Sequence, residues 1–120
     1  MRRFLLVALV ALVVVPAALA WRKPSVAERT KIVKGLPAFY HQACIRTTVR
    51  VSTLNPAYSS VWFRFVNPSQ KGCSPFDGQV IMHRLSTGAW KKIAEGSSWD
   101  CKTSGIPNGV VKDVIGTCIP

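Results

Sequence analysis

Two histidines, His41 and His83, are the side chains of this sequence best suited to acid–base chemistry. Such a pair can cleave RNA when one ring acts as base, the other acts as acid and a cation lies next to the phosphate. The cation would be Arg84 or Lys91, and Glu95 is an alternative base. No spacing in the sequence brings the two rings together, and each ring has a plainer explanation at a helix end or on a strand. We therefore expect no enzymatic activity, and a small secreted ribonuclease remains one alternative.

Other catalytic patterns are absent from the sequence. It contains no Gly-x-Ser-x-Gly motif and no Gly-rich phosphate loop, and its 5 acidic residues are spread along the chain. These features exclude the usual serine hydrolase, nucleotide-binding and paired-carboxylate sites. The cysteines form no Cys-x-x-Cys pair and lack the Cys–His spacing of zinc sites. We predict no metal site and no cofactor.

The first 20 residues have the composition of a signal peptide. Arg2 and Arg3 precede an apolar run of about a dozen residues, which is shorter than the roughly 20 residues of a membrane span. Ala18 and Ala20 provide a small-residue cleavage site, so we expect cleavage after Ala20. The sequence therefore predicts a secreted or extracytoplasmic protein with one domain, residues 21–120, and no integral membrane span after cleavage.

Four cysteines remain in the exported part, where disulfides persist. Four cysteines allow three pairings, and the sequence alone does not choose between them rigorously. We favour Cys101–Cys118 because it closes a short local loop, which leaves Cys44–Cys73. A loop of about 15 residues stabilises the folded chain by roughly 3 kcal/mol in the chain-entropy model.

Helical signals lie at both ends of the predicted domain. Ser25 and Glu28 have the spacing of a capping box, and apolar residues follow at intervals of three to four. These features predict a helix from about residue 25 to 34, then a short turn that begins at Pro37. A second apolar stripe predicts a short helix between Pro107 and Gly116.

Four segments in the middle have the alternation or the β-branched and aromatic content of strands: residues 44–54, 58–66, 79–85 and 89–95. Short turns between them predict an antiparallel meander. The predicted fold class is α+β, with an N-terminal helix, a four-stranded antiparallel meander and a short C-terminal helix. We expect the helices to cover one face of the sheet and to bury Val49, Val51, Phe63 and Phe65.

Positive charge is the strongest remaining feature. Removal of Arg2 and Arg3 from 16 basic residues leaves 14 against 5 acidic ones, a net charge of about +9. Such a charge attracts anionic polymers and surfaces. Strand alternation places three arginines and two aromatic residues on neighbouring strands away from the expected core: Arg46, Arg50, Arg64, Trp62 and Tyr58.

These five residues are the predicted binding surface of a non-enzymatic module for anionic cell-envelope polymers or lipid headgroups. Nucleic acid is a less favoured partner, since Lys91 and Lys92 form only an isolated pair. The simpler alternative is that the arginines keep the sheet soluble and protect its edges. A helix over the second face would remove the surface.

A protein partner is the other alternative, with the chain acting as an inhibitor-like module. The candidate loop covers residues 67–78, contains Phe76 and is anchored by Cys73. A rigid loop of this kind binds a partner with little ordering cost. An ordinary strand connection that happens to hold a cysteine would look the same in the sequence.

Several short stretches resemble a group of small exported proteins, mostly actinobacterial, that contain disulfides and have no assigned activity. They are residues 21–25 (WRKPS), 49–53 (VRVST), 96–98 (GSS) with Cys101, and 105–107 (GIP) leading to Cys118. The resemblance implies no catalytic residue. The order of elements, and the Gly88-Ala89-Trp90 turn and strand start, also resemble cystatin-like and NTF2-like folds.

Overall fold

A computed structural model describes residues 20–120, so all of the predicted signal peptide except Ala20 lies outside the described residues. No helix in this range is long and apolar enough to cross a membrane. The elements in chain order are β1 (Trp21–Arg22), α1 (Val26–Lys34), a 3₁₀ helix (Ala38–Tyr40), β2 (Ile45–Ser52), β3 (Tyr58–Phe65), β4 (Gln79–Arg84), β5 (Trp90–Gly96) and α2 (Val110–Ile115).

The strands form one antiparallel sheet in the order β1-β2-β3-β4-β5, which confirms the α+β class. Within residues 20–120 the sheet has five strands, and the prediction of four is corrected. Trp21 and Arg22 pair with Ser52 and Val51, so a strand precedes the first helix. Two residues are too few to show alternation, which is why the sequence indicated only an extended lead-in.

The start of α1 is fixed by the predicted capping box. Ser25 Oγ accepts a hydrogen bond from the Glu28 backbone N–H, and the Glu28 carboxylate accepts one from the Ser25 N–H. Both oxygens of that carboxylate also accept hydrogen bonds from Arg22, each at 2.8 Å. This bidentate ion pair connects β1 to α1. The helix ends at Gly35, where a Cβ atom would lie 2.2 Å from the Trp90 carbonyl oxygen.

One face of the sheet packs against α1 and the 3₁₀ helix. The buried residues of this core are Ile32, Leu36, Tyr40, Val49, Val51, Val61, Val80, Met82 and Trp90. Burial of Val49 and Val51 confirms the prediction. Phe63 and Phe65 are only half-buried: Phe76 of the loop before β4 packs against both rings, and Tyr40 of the 3₁₀ helix stacks on Phe63.

The second face is also partly covered, which corrects the expectation that helices cover one face. The apolar stripe of α2 packs there with Trp99 and Ile106 against Tyr58 and Ile81. The Ser60 hydroxyl donates to the Val114 carbonyl at 2.7 Å. Strand β3 is therefore buried on both sides over its first half.

Asp113 of α2 is a buried carboxylate that holds the helix on the end of β2. It accepts a hydrogen bond from the Ser52 hydroxyl, and it accepts from the backbone N–H groups of Thr53 at 2.9 Å and Leu54 at 3.3 Å. These groups belong to the turn between β2 and β3. The carboxylate thus joins α2, β2 and the turn at one point.

The two disulfides are Cys44–Cys73 and Cys101–Cys118, the pairing favoured from the sequence. The first joins the start of β2 to the loop before β4. The second joins the segment after β5 to the last residues of the chain, where Cys101 N–H donates to Ile119 and Ile119 N–H donates to Trp99.

Two carbonyl groups on the outer edge of β2 accept hydrogen bonds from arginine side chains. Cys44 O accepts from Val66 N–H on the β3 side, and peptide groups alternate in direction along a strand. The carbonyls of Ile45 and Thr47 therefore point to the open edge. Arg46 donates to Ile45 O at 3.2 Å, and Arg29 donates to Thr47 O at 3.0 Å.

We expect Glu28→Gln to lower stability at neutral pH but not in acid. The hydrogen bond from Arg22 lowers the pKa of Glu28, so its stabilising effect is complete above the unfolded pKa of about 4.3. That effect is lost as the pH falls through the lower folded pKa. Thermal unfolding of both proteins should show a difference in Tm at pH 7 that disappears near about pH 2.

Glutamine keeps the helix cap, whereas Glu28→Ala should stay less stable at every pH. Equal Tm values for wild type and Glu28→Gln at pH 7 would contradict this role.

Asp113→Ala should cost about 2–3 kcal/mol in the free energy of unfolding, because it leaves the buried Ser52 hydroxyl and two backbone N–H groups without their acceptor. Urea denaturation measures the loss. The exposed Asp77→Ala is the control and should stay within about 0.5 kcal/mol of wild type. A similar small change for both variants would show that Asp113 does not anchor α2.

Candidate functional site

The strand register places Arg46, Arg50 and Arg64 on the face of the sheet that α2 half covers. Arg46 lies directly opposite Arg64, and Thr48 lies opposite Trp62. These residues occupy the half of the face beyond α2, where Arg46, Thr48 and Arg64 are exposed. Together with Trp21 of β1, the three arginines and Trp62 form what we call the arginine surface.

Arg50 is held between two tryptophan rings. Its Cζ atom lies 4.6 Å from the centre of the Trp21 ring and 4.3 Å from that of Trp62. Its Nε is buried and has no hydrogen-bond partner in residues 20–120. Guanidinium faces are weakly hydrated and stack well on indole, while the N–H groups point outward in the plane of the group. Arg50 is therefore fixed in orientation.

The sequence did not identify Trp21 as part of this surface. Its contribution depends on β1, whose two residues pair with the end of β2 and bring the ring over Arg50. The available signal was an aromatic residue in an extended basic segment. That signal does not indicate which strand the segment joins.

Arg46 and Arg64 are like charges at directly opposite positions on neighbouring strands, an arrangement that destabilises a sheet. Neither arginine forms an ion pair with an acidic residue of the described range. The two ion pairs in the part of the chain that the structure describes are Arg22–Glu28 and Lys92–Glu95, and both lie on the α1 side. Within residues 20–120, no ion pair therefore neutralises the positive charge of the arginine surface.

Tyr58 does not lie on the arginine surface, which corrects the set of five residues predicted from the sequence. It shares a sheet face with the arginines, but it is buried in the core beneath α2. Its ring stacks on His83 with centroids 4.5 Å apart. Alternation predicted its face, whereas its burial depends on where α2 packs.

The residues considered for acid–base chemistry lie on opposite faces of the sheet. His83 and Lys91 are paired on the α2 face. On the α1 side, His41 Nε2 lies 2.9 Å from the Leu36 carbonyl oxygen, Glu95 accepts a hydrogen bond from Tyr40, and Arg84 lies near Trp90. Burial and Glu95 raise the pKa of Tyr40. The structure does not bring the two histidines together.

The loop of residues 67–78 packs on its own protein. The Phe76 ring contacts the rings of Tyr40, Phe63 and Phe65, with centroids 5.0 to 5.4 Å apart. Gln42 bonds both to the N–H and to the carbonyl of Ser74. Phe76 therefore packs against these three rings of its own chain and does not project from the loop as a contact residue for a protein partner.

Within residues 20–120, no group of three or more His, Cys, Asp or Glu residues has the geometry to hold a metal ion. Comparisons with protein-family models, with curated proteins and with solved structures found no match to this chain.

Arg46→Glu should stabilise the folded protein by about 0.5–1 kcal/mol, because it turns a like-charge cross-strand pair with Arg64 into an opposite-charge pair. Urea denaturation at low salt measures the change, and high salt should reduce it. Arg46→Gln is the matched control and should give a smaller gain. A loss of stability on charge reversal would show that Arg46 and Arg64 do not repel each other in the folded state.

Proposed function

We propose that this protein is a non-enzymatic binding protein that holds anionic polymers of the cell envelope or extracellular medium on its arginine surface. One observation carries the proposal. Arg46, Arg50 and Arg64 lie on one open half of a sheet face without an acidic partner, while both ion pairs in the described range lie on the other side.

The type of cation supports an oxoanion as the ligand. All three charges of the surface are arginines, whose guanidinium groups bind carboxylate or phosphate through two parallel hydrogen bonds. Arg50 is already fixed by Trp21 and Trp62, so less side-chain entropy is lost when an anion binds. The repulsion between Arg46 and Arg64 is relieved when an anion lies between them.

The two indole rings support polymer charge rather than stacked bases as the recognised feature. One face of each ring is occupied by Arg50. Single-stranded nucleic acid binding uses open aromatic faces on which bases stack. The disulfides fit an extracytoplasmic protein, and the predicted signal peptide would bring it to envelope polymers and lipid headgroups.

Co-sedimentation of the oxidised protein tests this function. We expect binding to isolated cell walls or anionic vesicles, but not to neutral vesicles, at about 50 mM salt. At about 0.5 M salt we expect release, because binding is driven by the release of counterions and high salt removes that gain. Arg46→Glu/Arg64→Glu should weaken binding at least about tenfold. The arms with walls and with vesicles separate envelope polymers from lipid headgroups.

Lys31→Glu/Lys34→Glu is the matched control. It changes the net charge equally, but both lysines are exposed on α1, on the other side of the sheet. We expect its affinity to stay within about threefold of wild type. Equal losses in the two double variants, or no binding at low salt, would overturn the proposal.

A further inference from the structure

A small cleft lies on the α2 face, on the far side of Trp62 from β2. Its volume is about 240 Å³, below the range of drug-sized pockets. The segment after β5 forms one wall, and the segment after α2 forms the other. The aromatic and polar side chains that line it are Trp62, Trp99, Gln79, Ser97, Ser98 and Thr117.

The lining of the cleft has the chemistry that recognises a sugar ring. The half-buried indole of Trp62 offers a flat surface for the C–H groups of a pyranose, and three hydroxyls can donate to or accept from the hydroxyl groups of the sugar. Trp99 is buried in the core next to the cleft. The Trp99 N–H donates to Gln79 Oε1 at 2.9 Å, so the Gln79 NH₂ group is directed away from Trp99 as a further donor. In the described range, no charged side chain lines the cleft.

The walls of the cleft are held in place before any ligand binds. The Cys101–Cys118 disulfide joins the segment after β5 to the segment after α2. Hydrogen bonds of 2.8 Å link Ile119 N–H to Trp99 O and Cys101 N–H to Ile119 O. Trp62 Nε1 donates to Ser60, whose hydroxyl in turn donates to α2. A preformed site binds with a smaller ordering cost.

The cleft and the arginine surface are neighbours on one face. Trp62 belongs to both, and its strand lies between the strand of Arg50 and that of Gln79. Neighbouring strands are about 4.8 Å apart, and Arg50 lies opposite Ser60 whereas Gln79 lies opposite Trp62, so roughly 12 Å separates the backbones of Arg50 and Gln79. A polymer with a sugar ring in the cleft and an acidic group next to that ring spans this distance.

From this arrangement we infer that the polymer bound by the arginine surface is an acidic polysaccharide, with one sugar ring in the cleft and acidic groups on Arg46, Arg50 and Arg64. The inference rests on the proposed function and names its ligand class. An anion without sugar rings would use only the arginines.

Two probes of similar charge separate the contribution of the cleft to the binding affinity from that of the arginines. Oligogalacturonate carries a carboxylate on every sugar ring, whereas linear polyphosphate has the charge without the sugar. Thr117→Trp places an indole in the cleft at an exposed position, and Ser97→Phe is a second variant that fills it. Thr87→Trp is the matched control, since Thr87 is exposed in the β4–β5 turn and lines a depression next to α1.

Isothermal titration of the folded, oxidised proteins measures both affinities. We expect Thr117→Trp and Ser97→Phe to weaken oligogalacturonate binding about tenfold, which is about 1.4 kcal/mol, and to leave polyphosphate binding within about twofold. Thr87→Trp should change neither affinity. If both probes bind and the cleft variants weaken neither, the inference is wrong and the proposed function stands. If neither probe binds at low salt, the inference and the proposed function are both wrong.

Discussion

Ser52 and Ser60 are fully buried on the sheet face that carries the arginines, and both donate hydrogen bonds to α2, to Asp113 and to the Val114 carbonyl. These bonds fix a helix of six residues over half of that face. A helix this short is not stable alone, so its position depends on the sheet and on its apolar stripe. Three features of the second face follow from that contact. Tyr58 is buried, Arg46 and Arg64 stay exposed, and a cleft forms between the segments that follow β5 and α2.

Local signals predicted the elements that depend on local interactions. The capping box gave the start of α1, and alternation gave β2 and β3 with Arg46, Arg50 and Arg64 on one face. The short loop between Cys101 and Cys118 favoured the observed disulfides. In each case the spacing along the chain carries the information.

The missed features depend on contacts between distant segments. β1 consists of two residues whose partners lie about thirty positions away, and Trp21 reaches Arg50 only through that pairing. The α2 stripe was visible, but nothing in it indicates which face of the sheet it covers. Tyr58 was therefore assigned to the correct face and to the wrong environment.

The arginines on the edge of β2 have a further consequence. β1 pairs with only the last part of β2, so the carbonyls of Ile45 and Thr47 would be free to add a strand from another chain. Arg46 and Arg29 already occupy those carbonyls, and each brings a charge to the edge. Charged side chains at a sheet edge oppose pairing between molecules. The chain thus protects itself against edge-to-edge aggregation with two side chains, without the cost of a longer covering strand.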